Sequence, residues 1–324
     1  MSEIFNATLN QMLFMFLLIF IGFILQKLKA VPEDSAKVLS KLESNLLIPA
    51  LALSTFMHDF TMEAFKTSYV VFIAGLILAI ISLALGILLS KILTKDDFKQ
   101  KTYTYVLAFS NFSYVGVPVI EAVFPEYLLS YVLFTLPPLL IIFGWGIGAL
   151  LIPKTIDGNK KKTFTKHLLN FSKAFLNPMV IATVIGAVIG ITGFISVMPE
   201  FLVDTIDTLK STMSPIAMLL TGCVVAKYNL AKAFKDVGLY IATFLRLLVL
   251  PIITGLILSV LKLDTVYNIC IITYMAMPLG LNTVIIPTAY GKDTSYPAGL
   301  AIFSHVLAVI TIPLVYMTFW NFLI

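Results

Sequence analysis

Two strongly apolar stretches of the sequence are each interrupted by residues that break helices or carry polar side chains. They are Asn111, Ser113, Gly116 and Pro118 in the stretch SNFSYVGVPV, and Pro278, Gly280, Asn282 and Thr283 in the stretch MPLGLNTVIIP. Proline removes a backbone donor and glycine makes an unwound turn less costly, so we expect a broken helix in each stretch. A break exposes N–H groups at the start of the second half-helix, and these attract an anion. The interpretation as kinks that only shape the bundle is weaker, because both breaks carry Asn and Gly. We therefore predict that these residues bind a small organic anion.

Two acidic side chains lie inside apolar runs, where an isolated charge costs at least about 2.5 to 3.5 kcal/mol. Glu43 and Glu121 are candidates for carrying a proton, because burial favours the neutral form of a carboxyl group. For Glu43 the alternative is a position near the end of its run, in contact with water or Lys41. For Glu121 the alternative is exposure to an extracellular cavity.

Arg246 and His305 are the other two ionisable candidates within apolar runs. Arg246 is either a counter-charge for an anionic substrate or a side chain that snorkels or pairs with an acid. His305 is either a proton relay or a histidine that is hydrogen-bonded inside the bundle.

The composition requires a membrane protein. The chain has 324 residues, 59% of them hydrophobic and 12% charged, with a mean hydropathy of +0.99. Cys223 and Cys270 both lie in apolar runs, so neither a disulfide framework nor a zinc site is predicted. The three histidines are scattered and no HExxH motif is present, so we expect no metal, no cofactor and no enzyme.

Ten apolar runs are long enough to cross a bilayer as helices. We place these spans at about 9–27, 37–57, 67–92, 102–124, 128–152, 176–196, 201–226, 238–261, 266–290 and 294–321. The loops after spans 1, 3, 5 and 7 carry fifteen lysines, whereas the even-numbered loops carry Lys66 and Lys262. The positive-inside rule then predicts a multi-pass protein of the cell membrane with both termini extracellular.

The basic segment 153–175 divides the chain into residues 1–152 and 176–324, with five predicted spans each. Because five is odd, two equivalent halves must lie in the membrane with opposite orientation, as in many secondary transporters. Pro49 in span 2 and Pro215 in span 7 are 166 residues apart, which supports such a repeat. The net charge of +5 reflects the lysine-rich loops, so no nucleic-acid partner is expected.

The sequence resembles the bacterial branch of the auxin efflux carrier family, which is related to the PIN-type auxin carriers and to malate and malonate permeases. The resemblance rests on Asn111, Gly116 and Pro118, on MAMPLGLNTVIIPTAYGKD and on AGLAIFSHVLAVITIPLVYM, and it extends over essentially the whole chain. It implies a homodimer with a scaffold of spans 1, 2, 6 and 7. It also implies a transport domain of spans 3–5 and 8–10, whose broken helices 4 and 9 cross at the substrate. Glu121 stands where some plant relatives carry a lysine.

The expected protein is an all-α secondary transporter of a small mono- or dicarboxylate, malate-like or auxin-like. It would work in the lipid bilayer by alternating access of the elevator type. Coupling to protons or to sodium is left open by the residues. The alternatives are a sodium-coupled organic anion symporter of the bile-acid type and a channel.

Overall fold

The computed structural model describes residues 2–142, 178–227, 231–284 and 294–323. These residues fold into α-helices joined by short turns. The α-helices are α1 Ser2–Lys27, α2 Ser35–Leu42, α3 Ile48–Asp59, α4 Met62–Leu93, α5 Asp97–Ala108, α6 Val117–Val123, α7 Leu128–Ile141, α8 Pro178–Thr192, α9 Glu200–Lys227, α10 Ala231–Phe234, α11 Val237–Phe244, α12 Leu250–Leu261, α13 Thr265–Ala276 and α14 Ser295–Leu323. The predicted linker 153–175 lies outside the described residues.

Five helices of the described part are long and apolar enough to cross a membrane. They are Phe5–Lys27, Tyr69–Leu93, Glu200–Lys227, Val237–Leu261 and Ser295–Phe319. Shorter apolar helices cover Phe112–Val123, Pro178–Thr192 and Thr265–Ala276. Predicted spans 2, 4, 8 and 9 are segmented, and spans 5, 6 and 9 extend beyond the described residues. The all-helical membrane architecture is confirmed, whereas the inverted ten-helix repeat stays a prediction.

Three complete π-helical turns interrupt the helices of the described residues, and each ends two residues before a proline. They are Glu43–Leu47 before Pro49, Phe112–Gly116 before Pro118, and Leu245–Val249 before Pro251. Proline has no N–H and its ring clashes with the carbonyl group one turn earlier, which explains the widening at these positions. π-Helical turns occur frequently at functional sites. Glu43, Ser113 and Arg246 all lie in these turns.

Close helix pairs form where glycine removes the side chain between two backbones. A Cβ atom on Gly22 of α1 would lie 2.2 Å from the Leu219 carbonyl oxygen of α9, and one on Gly222 would lie 2.0 Å from the Ile19 carbonyl oxygen. The pair Gly186 and Gly190 likewise permits a close approach of α8 to α3. Helices α1, α3, α8 and α9 therefore pack together, and α4 packs with α5 and α7.

Two ion pairs agree with the predicted topology, in which successive loops alternate between the two sides of the membrane. Lys99, after span 3, pairs with Asp236, after span 7. Lys210 of α9 pairs with Glu121, at the far end of span 4, with 3.2 Å between the charged atoms. Each pair thus joins ends that the predicted topology places on one side of the membrane. Which side faces the cytoplasm stays a prediction.

Candidate functional site

The two interrupted stretches meet and bond to each other through their backbones. α5 ends at Ala108 and α13 ends at Ala276, and each is followed by an extended segment. Ser110 and Leu279 form an antiparallel bridge, and the Asn111 N–H donates to the Pro278 carbonyl oxygen at 2.8 Å. The structure therefore places a helix break within each predicted stretch and makes the two breaks one crossing.

The second half-helix after Asn111 starts with open donors. Its first bonds within the helix run from the N–H groups of Val115 and Gly116 to the Asn111 carbonyl oxygen, at 3.2 and 3.1 Å. The N–H groups of residues 112–114 precede these bonds and have no acceptor within their own half-helix. The positive end of the helix dipole therefore lies at the crossing, where it would attract an anion.

Ser110 is a further polar residue at the crossing, and the sequence analysis did not select it. Its side chain is buried, and its hydroxyl group has no hydrogen-bond partner among the residues that the structure describes. A serine beside an asparagine gives no signal of its orientation in the sequence. The hydroxyl group remains available to a ligand.

The predicted residues Asn111 and His305 are direct neighbours. Asn111 Nδ2 lies 2.9 Å from His305 Nε2, and His305 Nδ1 lies 2.7 Å from the Ala301 carbonyl oxygen. A carbonyl oxygen can only accept, so Nδ1 carries the proton and Nε2 accepts from the Asn111 amide. His305 uses one of the two amide hydrogens of Asn111. The histidine therefore orients the asparagine at the break.

Arg246 binds the ends of both broken helices. Its guanidinium group is 0% exposed and donates to the carbonyl oxygens of Leu107 at 3.2 Å, Tyr274 at 2.7 Å and Met277 at 3.3 Å. The last carbonyl groups of a helix lack partners within the helix and form the negative end of its dipole. Arg246 therefore caps α5 and α13 together. In this conformation it neither snorkels nor pairs with an acid of the described residues.

Tyr274 reinforces the same capping arrangement, although no feature of the sequence distinguishes it from other tyrosines. Its hydroxyl group donates to the Ala108 carbonyl oxygen at 3.1 Å, and its ring stacks on Phe112 with 5.5 Å between the ring centroids. The Arg246 guanidinium carbon lies 5.8 Å from the centre of the Tyr274 ring. A cation over an aromatic face is a favourable contact.

The predicted residues of the second break pack against the first. A Cβ atom on Gly280 would lie 3.0 Å from the Phe109 carbonyl oxygen, so glycine permits this close approach. The Asn282 side chain lies beside the Tyr105 hydroxyl group of α5, and Thr283 Oγ1 donates to the Gly280 carbonyl oxygen at 2.9 Å. Pro278 supplies the carbonyl group that Asn111 binds. All four residues thus lie at the crossing.

Because of Pro118, the Tyr114 carbonyl group lacks its usual backbone donor in its own helix, and a side chain of α9 supplies a donor instead. Proline lacks the N–H that would bond to the Tyr114 carbonyl oxygen one turn earlier, and Ser214 Oγ donates to that oxygen at 3.2 Å. Gly116 allows Tyr131 to approach, since a Cβ atom there would lie 2.1 Å from the tyrosine hydroxyl group. The half-helix is therefore held from two sides.

The two acidic candidates occupy different environments. The Glu121 side chain is 50% exposed and lines a cavity of about 300 Å³ between α1, α3, α6 and α9, together with Pro118, Lys210 and Pro215. Glu43 is 0% exposed, and neither carboxyl oxygen has a hydrogen-bond partner among the described residues. Burial rules out contact of Glu43 with bulk water in this conformation.

The apolar helices and the crossing of two broken ones are the features of a polytopic membrane carrier. A family model described as membrane transport protein matches residues 7–316. The chain therefore belongs to this family, the auxin efflux carrier or PIN-type family, as its motifs predicted. No curated protein matches the sequence.

Proposed function

We propose that the protein is a secondary carrier of a small mono- or dicarboxylate and that the anion binds at the crossing of the two breaks. The observation that carries the proposal is the cluster of donors there. It consists of the open N–H groups of residues 112–114, the hydroxyl group of Ser110 and the remaining amide hydrogen of Asn111. Membership of a membrane transport family supports a transporter.

Arg246 contributes to this site without touching the anion. Two helix C-termini at the crossing would repel a carboxylate, and the guanidinium charge offsets both of them. The half-helix N-terminus then dominates the field at the crossing. Arg246 is therefore a positioning residue in this proposal, and the backbone N–H groups bind the substrate.

The contacts between α9 and the half-helix that begins at the break would have to change during alternating access. Ser214 binds the Tyr114 carbonyl group, and Lys210 pairs with Glu121 across the cavity. These contacts must break if the crossing moves past α9 as one body. We propose such an elevator movement, with α4–α7 and α11–α14 in the moving part.

Counterflow of labelled malate in proteoliposomes tests the proposal. Asn111→Ala removes a charge-assisted hydrogen bond of roughly 1.5 to 3 kcal/mol, so affinity should fall about 10- to 150-fold. His305→Phe should weaken binding less, because the asparagine remains but loses its orientation. Asn282→Ala should also have a smaller effect, since that side chain lies beside Tyr105.

Three results would contradict the proposal. Parent-like affinity in Asn111→Ala would remove the anion site from the crossing. Single-channel currents would replace the carrier with a channel. The absence of counterflow with malate, malonate and a panel of monocarboxylates would exclude small carboxylates as substrates.

A further inference from the structure

Glu43 lies at the first position of the π-helical turn that joins α2 to α3. The next two side chains turn back on the preceding helix, where Ser44 Oγ donates to the Ser40 carbonyl oxygen at 3.0 Å and Asn45 Nδ2 donates to the Lys41 carbonyl oxygen at 2.8 Å. These two side chains therefore satisfy the backbone around the wide turn and do not serve Glu43.

The Glu43 carboxyl group is buried without a partner in the described part of the chain. It is 0% exposed, and within these residues neither of its oxygens has a hydrogen bond and none of the ion pairs includes it. An unpaired carboxylate in a dry interior costs several kcal/mol, whereas the protonated acid avoids this cost. The carboxyl group is therefore neutral in this conformation.

The elements packed around Glu43 supply no compensating charge near it. α9 carries Asp207 and Lys210 near its opposite end, where they pair with His58 and Glu121. Near Glu43's end of α9, the Cys223 thiol donates to the Gly22 carbonyl oxygen, and Lys227 is exposed. α8 has no ionisable side chain. On its own helix, Lys37 and Lys41 are exposed.

The remaining titratable neighbour lies in the half-helix at the crossing. The Tyr114 phenol group lies close enough to Glu43 to feel a charge on its carboxyl group, and the π-helical turns of both residues pack against α9. Tyr114 is also the residue whose carbonyl group Ser214 holds. A movement of the half-helix along α9 would therefore change what covers Glu43.

We propose that Glu43 is the proton-binding site that couples transport to a proton gradient, an inference that rests on the carrier function proposed above. In the present conformation the acid is buried against α9 and the proton stays bound. When the half-helix moves, the carboxyl group opens to water on one side of the membrane and gives up the proton there. In the opposite state of the cycle it opens to the other side, where the carboxylate takes up a new proton. A proton and the carboxylate substrate thus share one conformational cycle.

The coupled ion is a proton rather than sodium. A sodium site needs several oxygen ligands around the cation, whereas the side chains of Ser44 and Asn45 turn towards the preceding helix and make no hydrogen bond to Glu43. An isolated carboxyl group meets the needs of a proton.

Uptake of labelled malate into proteoliposomes separates coupling from transport. We expect an inward proton gradient to stimulate uptake by the parent protein, and Glu43→Gln to abolish this stimulation while counterflow continues. Glu121→Gln should keep the gradient response, because that carboxylate is half exposed and paired with Lys210. Parent-like stimulation in Glu43→Gln, or stimulation that requires sodium, would overturn the proposal.

Infrared spectroscopy of the purified protein tests Glu43 independently of any substrate. At neutral pH the parent should show a carboxylic-acid C=O band that Glu43→Gln loses and that Glu63→Gln, a change at an exposed helix start, retains. Absence of the band from the parent protein would refute the proton site even if malate is transported. Conversely, if the band is present and malate is not transported, the result contradicts the carrier function alone.

Discussion

Arg246 and Glu43 are both fully buried ionisable side chains in π-helical turns that precede a proline. The guanidinium group of Arg246 has three carbonyl partners, whereas the carboxyl group of Glu43 has none among the described residues. The comparison shows that burial alone does not define the role of a charged residue in a membrane. The role depends on what the surrounding backbone offers.

The local chain explains the difference. The guanidinium group of Arg246 lies beside the C-terminal ends of α5 and α13. Each end provides carbonyl groups that no residue of its own helix can satisfy. Glu43 lies where the helix continues from α2 into α3, and a carboxylate would need donors that a continuing helix does not provide. A guanidinium group is therefore stabilised as a cation, and the carboxyl group remains a neutral acid that can exchange its proton.

Arg246→Ala should cause a larger loss of stability than the substitutions of Glu43, Ser214 and Pro118. It leaves the carbonyl groups of Leu107, Tyr274 and Met277 unpaired, at a cost of about 3 to 5 kcal/mol in the free energy of unfolding. Glu43→Gln should change that free energy by less than about 1 kcal/mol, because no partner is lost. Thermal unfolding in detergent, followed with a thiol-reactive dye, can measure both, since Cys223 and Cys270 are buried in the folded protein.

Arg246→Lys is the matched control for this experiment. It keeps the charge but loses the planar fork that reaches several carbonyl groups, so an intermediate loss is expected. Equal stability of Arg246→Ala and Glu43→Gln would remove the distinction between the two buried residues.

The helices were largely readable from the sequence because hydrophobicity along the chain determines them. The predicted spans 201–226 and 238–261 agree within a residue or two with the described helices Glu200–Lys227 and Val237–Leu261. The breaks were readable as well, because Pro118 and Pro278 have fixed local effects. Local chemistry was therefore sufficient for the elements and their interruptions.

The partners of the polar side chains were not readable, because they lie far away in the sequence. Asn111 meets His305, and Arg246 meets carbonyl groups that carry no sequence signal at all. Ser110 and Tyr274 were missed for the same reason. Only the crossing of the two breaks in space gives these residues their roles.

Substitutions of Ser214 and Pro118 should have an intermediate effect on stability, because they change the partner of a single carbonyl group, that of Tyr114. Ser214→Ala leaves the Tyr114 carbonyl oxygen without its donor, so stability should fall by about 1 to 2 kcal/mol. In Pro118→Ala a backbone N–H replaces that donor, so adding Ser214→Ala should then cost little. A double-mutant cycle should give a coupling of about 1 kcal/mol.

Transport distinguishes the two single changes in this cycle. Pro118→Ala should impair counterflow with little loss of stability, because the new N–H bonds to the Tyr114 carbonyl oxygen and narrows the π-helical turn that carries the N–H groups of residues 112–114. If Pro118→Ala instead unfolds the protein and the cycle is additive, the proline only shapes the bundle and the Ser214 contact has another purpose.

Disruption of the Glu121–Lys210 ion pair should have a smaller effect than the changes at Arg246, Ser214 and Pro118, because this pair is the most exposed to water. The Glu121 side chain is 50% exposed and that of Lys210 is 19% exposed, in a cavity of about 300 Å³. Exposed ion pairs contribute about 0 to 1 kcal/mol and are weakened by salt. Glu121→Gln should therefore change the turnover rate by no more than about fivefold, with the difference disappearing at high ionic strength.

The exchange of charges in Glu121→Lys with Lys210→Glu should restore the parent rate at low salt. A salt-independent loss of the proton response in Glu121→Gln would contradict this, because the coupling acid would then be Glu121 and the buried, unpaired Glu43 would have no part in it.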